Sequence, residues 1–244
     1  MICNRTETGW EILYQRAHAL LAMQLIQHWR PAQRPDRWAS TLVATAEHDN
    51  GWQEWEPGDR LTPAGTPRDF RETPVADLVA QSERAVQRAW HQDLWSGLLV
   101  SRHIAHLYAD LRTDESAIDA LLSEQTALRQ QWRRTLDVRV ADVDPAYALL
   151  LWGDTFSLVL CQHHLPFGGR AIEIGTGPDG TRYDAAQRDD GTLAVRPWPY
   201  AVERFDVHVD QYVLGQLTFD DADALADALA DASPAELRWT LRAD

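Results

Sequence analysis

The chain has little cysteine and fewer basic than acidic residues, and both shortages exclude classes of function. Cys3 and Cys161 lie far apart and form no CxxC pattern, which argues against a disulfide framework and a zinc knuckle. Lys and Arg number 23 against 37 Asp and Glu, so the formal net charge is -14. Such a field repels nucleic-acid backbones and anionic membranes, and we expect neither as a partner.

Long apolar runs are also missing. The longest, AYALLLWGDTFSLVLC at residues 146–161, contains the acidic residue Asp154 and is too short to favour crossing a bilayer. The first residues, MICNRTETGW, lack the charged and apolar regions of a signal peptide. We therefore expect a cytoplasmic protein.

Helical periodicity dominates the first two thirds of the chain. Apolar residues recur at helical spacing in residues 10–29, 36–48, 75–111, 115–136 and 144–164. Beyond residue 166, short β-type runs alternate with Gly-Asp turns, and an Ala/Asp-rich helix follows. We predict an α+β fold, in which a mainly α-helical bundle (residues 1–165) precedes a small antiparallel β-sheet region with a C-terminal helix (residues 166–244). The β-rich region would either close over a site or serve homodimerisation.

Asp154 is the sharpest functional signal, because it shares a helical stripe with residues that should face the core. Tyr147, Leu150, Leu158 and Cys161 lie on the same stripe. An unpaired buried carboxylate is very costly, so Asp154 must be protonated, paired or bound to a metal ion. An Arg or a backbone amide would satisfy it as well as a metal would.

Histidines occupy similar positions on other predicted helices. His18 lies among apolar residues, and His103 and His106 are three residues apart on one face. Each alone could be a hydrogen-bonded core residue. Together with Asp154 and the pair formed by His48 and Asp49 at a helix end, they favour one shared metal site, as in bundle proteins.

This order of residues resembles the HD-domain superfamily of metal-dependent phosphohydrolases. The superfamily's signature is a His, then a His-Asp pair, then a late Asp, which His18, His48, Asp49 and Asp154 match in order. The resemblance implies a helical metal-binding domain over residues 8–165, with His103 in the region where two-metal members add histidines. His106 is a further candidate ligand for a second ion. The whole chain also resembles an uncharacterised bacterial family, through EHDNGW, LLVSRHIAHLY, WGDTFSLVLC and PWPYAV.

The loop of residues 49–74 is the predicted wall of a substrate pocket, because long loops in compact domains tend to be functional. Many HD phosphohydrolases carry a Lys after the glycine of their HDxG motif, where this chain has Trp52. Positive charge would then come from Arg68 and Arg71, unless both are solvated. The same loop contains Trp55 and Asp59 as further candidates.

These residues and the HD resemblance predict a metal-dependent hydrolase for a small substrate, with a phosphoester as the class that the resemblance implies. One or two ions of Mn, Fe, Co, Ni or Zn suit imidazole and carboxylate ligands better than Mg does. Asp49 would serve in catalysis beside the ion, and Glu47 is a candidate base, although a solvent-facing position is preferred for it. The alternatives are a di-iron oxygenase of HD type and a non-catalytic protein that keeps a coordinatively closed metal site.

Overall fold

The computed structural model describes residues 1–54, 60–109 and 116–244. In these residues, helices pack on a curled mixed sheet of seven strands that forms half a barrel. The α-helices are α1 (Gln15–Ile26), α2 (Trp38–Glu47), α3 (Val75–Gln92), α4 (Leu94–Leu107), α5 (Ser116–Leu136), α6 (Val140–Cys161) and α7 (Ala222–Asp231). The strands are β1 (Ile2–Arg5), β2 (Trp10–Leu13), β3 (Ala171–Thr176), β4 (Arg182–Gln187), β5 (Leu193–Arg196), β6 (Arg204–Leu214) and β7 (Pro234–Arg242).

The predicted fold class is wrong about the sheet. Its strand order is β1-β2-β6-β7-β5-β4-β3, so two N-terminal strands extend it beyond the β-rich C-terminal region. Strands β5 and β7 pair in parallel, whereas the other neighbours are antiparallel. The sheet is therefore neither small nor antiparallel throughout, and the molecule is not simply a helical bundle with an appendage. The division of the chain at residue 165 remains a prediction.

The prediction from helical periodicity fails at β2, because residues 10–13 form a strand and not the start of the helix predicted over residues 10–29. Ile12 packs with residues of α7, whereas Leu13 packs with α1 and α6 on the other face of the sheet. A short strand buried on both faces carries no polar alternation, so its pattern cannot be distinguished from that of a buried helix. Helix α1 begins only at Gln15.

Helix α6 is the central element of the fold. Trp152 and Phe156 pack towards the sheet and α1, in a cluster that also contains Trp29 and Tyr183. Val143 and Leu150 belong to a second apolar cluster, formed with α2, α3, α4 and α5. Because α6 is covered on both sides, any polar side chain in its middle must find partners inside the protein.

The C-terminal elements follow the sequence pattern more closely. The Ala/Asp-rich stretch forms α7, whose Leu225 and Leu229 cover the outer side of the sheet. The predicted final strand is β7. His208 on β6 is exposed, as the alternation of β6 predicts. Among the described residues, no helix combines the length and the apolarity needed to cross a bilayer.

Gln24 connects α1 to the sheet. Strand β2 pairs only with residues 212–214 of β6, so the backbone of His208 lies beyond its reach. The Gln24 side chain takes the place of the missing strand: its Nε2 donates to the His208 carbonyl, and its Oε1 accepts from the His208 amide, both at 3.0 Å. Helix α1 is thereby fixed against β6 by hydrogen bonds as well as by apolar packing.

We expect Gln24→Ala to lower the free energy of unfolding by about 2 kcal/mol, because two half-buried backbone groups of β6 lose their partners. Chemical denaturation measures the difference. Gln131→Ala on the exposed surface of α5 is the matched control, with an expected change within about 0.5 kcal/mol. Equal stability of Gln24→Ala and the wild type would show that the two hydrogen bonds of Gln24 to the His208 backbone contribute nothing to stability.

Candidate metal centre

Helices α1 and α6 cross closely enough to bring His18 beside Asp154. At the crossing, a Cβ on Gly153 would lie 2.8 Å from the Ala22 carbonyl oxygen, so the helix backbones approach as only glycine allows. Ala22 is one helical turn after His18, and Gly153 directly precedes Asp154. The His18 Nδ1 to Asp154 Oδ1 distance is 3.9 Å, and both side chains are almost fully buried.

His48 and Asp49 reach the same point from the end of α2. His48 is the C-terminal cap of α2, and its Nδ1 donates to the Thr45 carbonyl at 2.7 Å. That bond leaves Nε2 as the nitrogen that faces the site. His48 Nε2 lies 3.3 Å from Asp154 Oδ1 and 3.8 Å from Asp49 Oδ2. It makes no aligned hydrogen bond to any described residue.

A serine on α6 fixes the orientation of the His18 ring. The Ser157 hydroxyl has one proton, which it donates to the Asp154 backbone carbonyl at 2.8 Å. Ser157 Oγ must therefore accept from His18 Nδ1, 2.9 Å away. His18 Nε2 then faces Asp49 Oδ2 at 2.7 Å. A carboxylate oxygen only accepts hydrogen bonds. His18 Nε2 therefore either carries the second proton of the imidazole ring or binds the same cation as Asp49.

His103 completes the cluster from α4. Its Nε2 lies 3.7 Å from Asp154 Oδ2, and its ring packs edge-on against His48 with the ring centroids 5.0 Å apart. Burial, together with the nearby charge of His48, lowers the pKa of His103 to about 4. The carboxylate of Asp154 raises this pKa, but by less than burial lowers it. His103 is therefore a neutral imidazole at ordinary pH.

The electrostatics of the cluster keep both carboxylates ionised. Burial would raise the pKa of Asp154, but His48 Nε2, 3.3 Å from Asp154 Oδ1, and the neighbouring imidazoles of His103 and His18 hold that pKa well below its usual range. Asp49 behaves in the same way, because His48 and His18 offset the effect of burial and lower its pKa. Burial alone would lower the pKa of His48, yet the two carboxylates raise it to about 9. A buried site with two negative charges attracts positive charge, either a proton or a metal ion.

The arrangement comes close to the geometry of a cation site. Two groups have ligand atoms that all lie within 4.8 Å of one another: His18 with His48 and Asp49, and His48 with His103 and Asp154. Ligand atoms about 2.0–2.2 Å from one ion can be separated by at most about 4.4 Å, so small adjustments would suffice. The unpartnered His48 Nε2 is the donor that such an ion would use. Imidazole and carboxylate donors suit Mn, Fe, Co, Ni or Zn.

A pocket of about 210 Å³ opens beside the cluster. His18, His48, Asp49, His103 and Asp154 all line it. Asp49 is the most exposed of the five, with 15% of its side chain accessible. The remaining wall residues are Gln15, Trp52, Phe70, Arg71, Leu78, Gln81, Leu107, Tyr108 and Leu158. A small molecule could therefore approach the cluster from the side of Asp49.

The other predicted site residues lie in different surroundings. His106 is exposed, with its ring centroid 6.1 Å from that of Tyr147, and it does not line the pocket. Glu47 accepts a hydrogen bond from Asn50 instead of facing the cluster.

The predicted loop residues divide between the pocket wall and the rest of the loop. Trp52 and Arg71 are in the wall, whereas Arg68 donates to the Leu61 carbonyl and does not line the pocket. Trp55 and Asp59 lie outside the described residues.

Several pocket residues were not predicted from the sequence. Gln15 is three residues before His18 on α1, which is the one spacing that could have indicated it. Ser157, which does not line the pocket but is bonded to His18, is likewise three residues after Asp154. Gln81 and Tyr108 come from α3 and the end of α4 and are hydrogen-bonded to each other, which no local pattern predicts.

Close packing against α3 explains why the HDNG sequence ends in glycine, at Gly51. A Cβ at this position would lie 1.9 Å from the Gln81 carbonyl oxygen on α3, far inside van der Waals contact. The Gly51 carbonyl also accepts from Arg84 Nε at 3.0 Å. The chain after Asp49 thus lies directly on α3, which determines where Asp49 and Trp52 are held.

We expect Gly51→Ala to lower the free energy of unfolding by about 2 kcal/mol or more, because two backbone segments must separate to admit a methyl group. Thermal and chemical denaturation measure the loss. Gly215→Ala is the control, since a Cβ there meets no atom within 4 Å. If both alanine variants were as stable as the wild type, the close contact between residue 51 and α3 would be refuted.

Comparison with known families places most of the chain in a single family. The family model described as "Protein of unknown function (DUF3891)" matches residues 1–216, which include all five residues of the cluster. No curated protein and no solved structure matches the chain. The chain belongs to the DUF3891 family.

Proposed function

We propose that this protein is a metal-dependent hydrolase that cleaves a small phosphoester, with the metal held by His18, His48, Asp49 and Asp154. The observation that carries the proposal is the meeting of these side chains from three helices around the unpartnered His48 Nε2. Two buried carboxylates without a Lys or Arg in contact need another source of positive charge. A divalent ion supplies this charge. It is compatible with the tautomers of His18 and His48, whose protons on Nδ1 leave Nε2 free to bind an ion.

The proposed site holds one metal ion. His48 belongs to both candidate groups, but its Nδ1 is bonded to the Thr45 carbonyl, so it has one nitrogen to offer. His18 is limited in the same way by Ser157. We therefore assign one ion, with His103 as an additional ligand on the Asp154 side.

The chain's own residues define the rest of the reaction. When bound, a divalent cation would lower the pKa of a coordinated water and polarise the substrate oxygen. Asp49, the least buried carboxylate, lies at the mouth of the cluster and is placed to accept a proton from water. Hydrolysis then joins the water oxygen to phosphorus, breaks the ester P–O bond, and leaves the departing oxygen with a proton.

The order of these residues supports assignment to the HD type, and the structure gives reasons to prefer a hydrolase over the alternatives. An oxygenase with two irons would need a second full set of ligands, whereas the two groups found among the described residues share His48. A closed structural site would leave no room for substrate, whereas a pocket of about 210 Å³ adjoins this one.

We expect purified wild-type protein to bind about one equivalent of Mn, Fe, Co, Ni or Zn, and His48→Ala to bind at least about 100-fold more weakly, because loss of a ligand exceeds loss of a supporting hydrogen bond. Elemental analysis after dialysis and calorimetric titration measure both. His208→Ala is the control, since His208 is exposed on β6. Phosphate release from a panel of phosphoesters tests the activity.

Folding must be established separately, by circular dichroism of each variant. A folded wild type that takes up none of the five metals would contradict the metal site. A metal-loaded protein that releases phosphate from no ester would contradict the hydrolase.

A further inference from the structure

Apart from the histidines of the cluster, two hydrogen-bond donors of pocket residues have no partner among the described residues. They are Gln15 Nε2, on a side chain that is 1% exposed, and Trp52 Nε1. Both residues line the pocket beside the metal cluster. Gln15 precedes His18 by one turn of α1, and the Trp52 amide is bonded to the Asp49 carbonyl across a turn. The backbone therefore places Gln15 beside His18 and Trp52 beside Asp49, and we assign both of these neighbours as metal ligands.

The backbone that carries each donor is held in place before any ligand arrives. The Gln15 backbone amide donates to both carboxylate oxygens of Glu54, at 3.0 and 2.8 Å. Trp52 follows Gly51, which is packed on α3. A buried donor without an acceptor destabilises the protein, and a ligand oxygen would remove that cost. Fixed, unsatisfied donors in a pocket are what a binding site for oxygen atoms requires.

The charge of the pocket limits which oxygens it can hold. One divalent ion balances Asp49 and Asp154, and Gln15 and Trp52 contribute no charge. Arg71 is the cationic side chain in the pocket wall, but it is 60% exposed and bonded to Asp69 at 2.6 Å. Neutral donors can support one further negative charge, whereas a second would require a cation of its own.

We propose that Gln15 and Trp52 bind a non-bridging oxygen of a singly charged phosphodiester, and that they select it over a doubly charged phosphomonoester. This inference rests on the proposed function and names its substrate class. The volume of about 210 Å³ accepts the phosphoryl group and one short substituent. Phe70, Leu78, Leu107 and Leu158 supply an apolar wall for that substituent. The second substituent of the diester extends from the pocket mouth.

The test uses Gln15→Leu and Trp52→Phe, which remove the donors and keep much of the side-chain volume. Two probes differ in charge at pH 8: diethyl phosphate has one negative charge, and ethyl phosphate has two because its second pKa is about 6. Calorimetry measures the affinity of each probe and, separately, of the metal. Rates on bis(p-nitrophenyl) phosphate and p-nitrophenyl phosphate measure turnover of a diester and a monoester.

We expect each substitution to weaken diethyl phosphate binding, and to lower kcat/KM for the diester, by about tenfold or more, since a hydrogen bond to a charged oxygen is lost. Metal affinity should stay unchanged, and the wild type should prefer the diester. Gln125→Leu and Trp198→Phe are matched controls in α5 and in the segment before β6, away from the pocket. Both should behave like the wild type.

The outcomes separate this inference from the proposed function. Diester binding that is unchanged in both variants, or a wild type that binds diethyl phosphate no better than ethyl phosphate, overturns the inference even if the protein is a hydrolase. A wild type without metal or turnover overturns the proposed function. In that case diethyl phosphate affinity still decides, because weakening in both variants supports the subsite and any other result refutes it.

Discussion

The buried negative charge of Asp49 and Asp154 is the constraint on which the rest of the structure depends. Two carboxylates in the interior of a bundle are tolerated only if positive charge and hydrogen bonds compensate them. Three imidazoles surround them, and the pKa of His48 rises to about 9 in response. No Lys or Arg contacts either carboxylate among the described residues. The cluster therefore has the charge and the nitrogen and oxygen atoms that the proposed cation site needs.

The fold supports this cluster from both sides. Glycine at position 153 lets α1 approach α6, and glycine at position 51 lets the chain after α2 lie on α3. The sheet holds α1 from behind through Gln24 and the apolar cluster around Trp29 and Trp152. The sheet thus contributes to the site indirectly, by fixing the helix that carries His18 and Gln15.

Local patterns in the sequence were sufficient to identify the candidate ligands, because a carboxylate or an imidazole on an apolar helical face is conspicuous. His18, His103 and Asp154 were found that way, whereas His48 and Asp49 were included as a His-Asp pair at the end of a predicted helix. All five residues line one pocket in the structure. His106 was included only for its spacing from His103. In the structure the side chain of His106 is exposed, whereas that of His103 is buried. The N-terminal strands could not be predicted, since β2 pairs with β6, about 200 residues away, and β1 joins the sheet through β2. The donors of Gln15 and Trp52 were hidden for a similar reason, because an unsatisfied hydrogen bond is a property of the packed structure alone.

Anomalous X-ray diffraction from crystals grown with cobalt(II) tests the central claim most directly. The account predicts one strong peak in each molecule, about 2.0–2.3 Å from His48 Nε2 and from a carboxylate oxygen of Asp154. It also predicts that His18 Nε2 and Asp49 Oδ2 move apart from their 2.7 Å contact to admit the ion. A peak at some other place, with His18 and Asp49 still in contact, would contradict it.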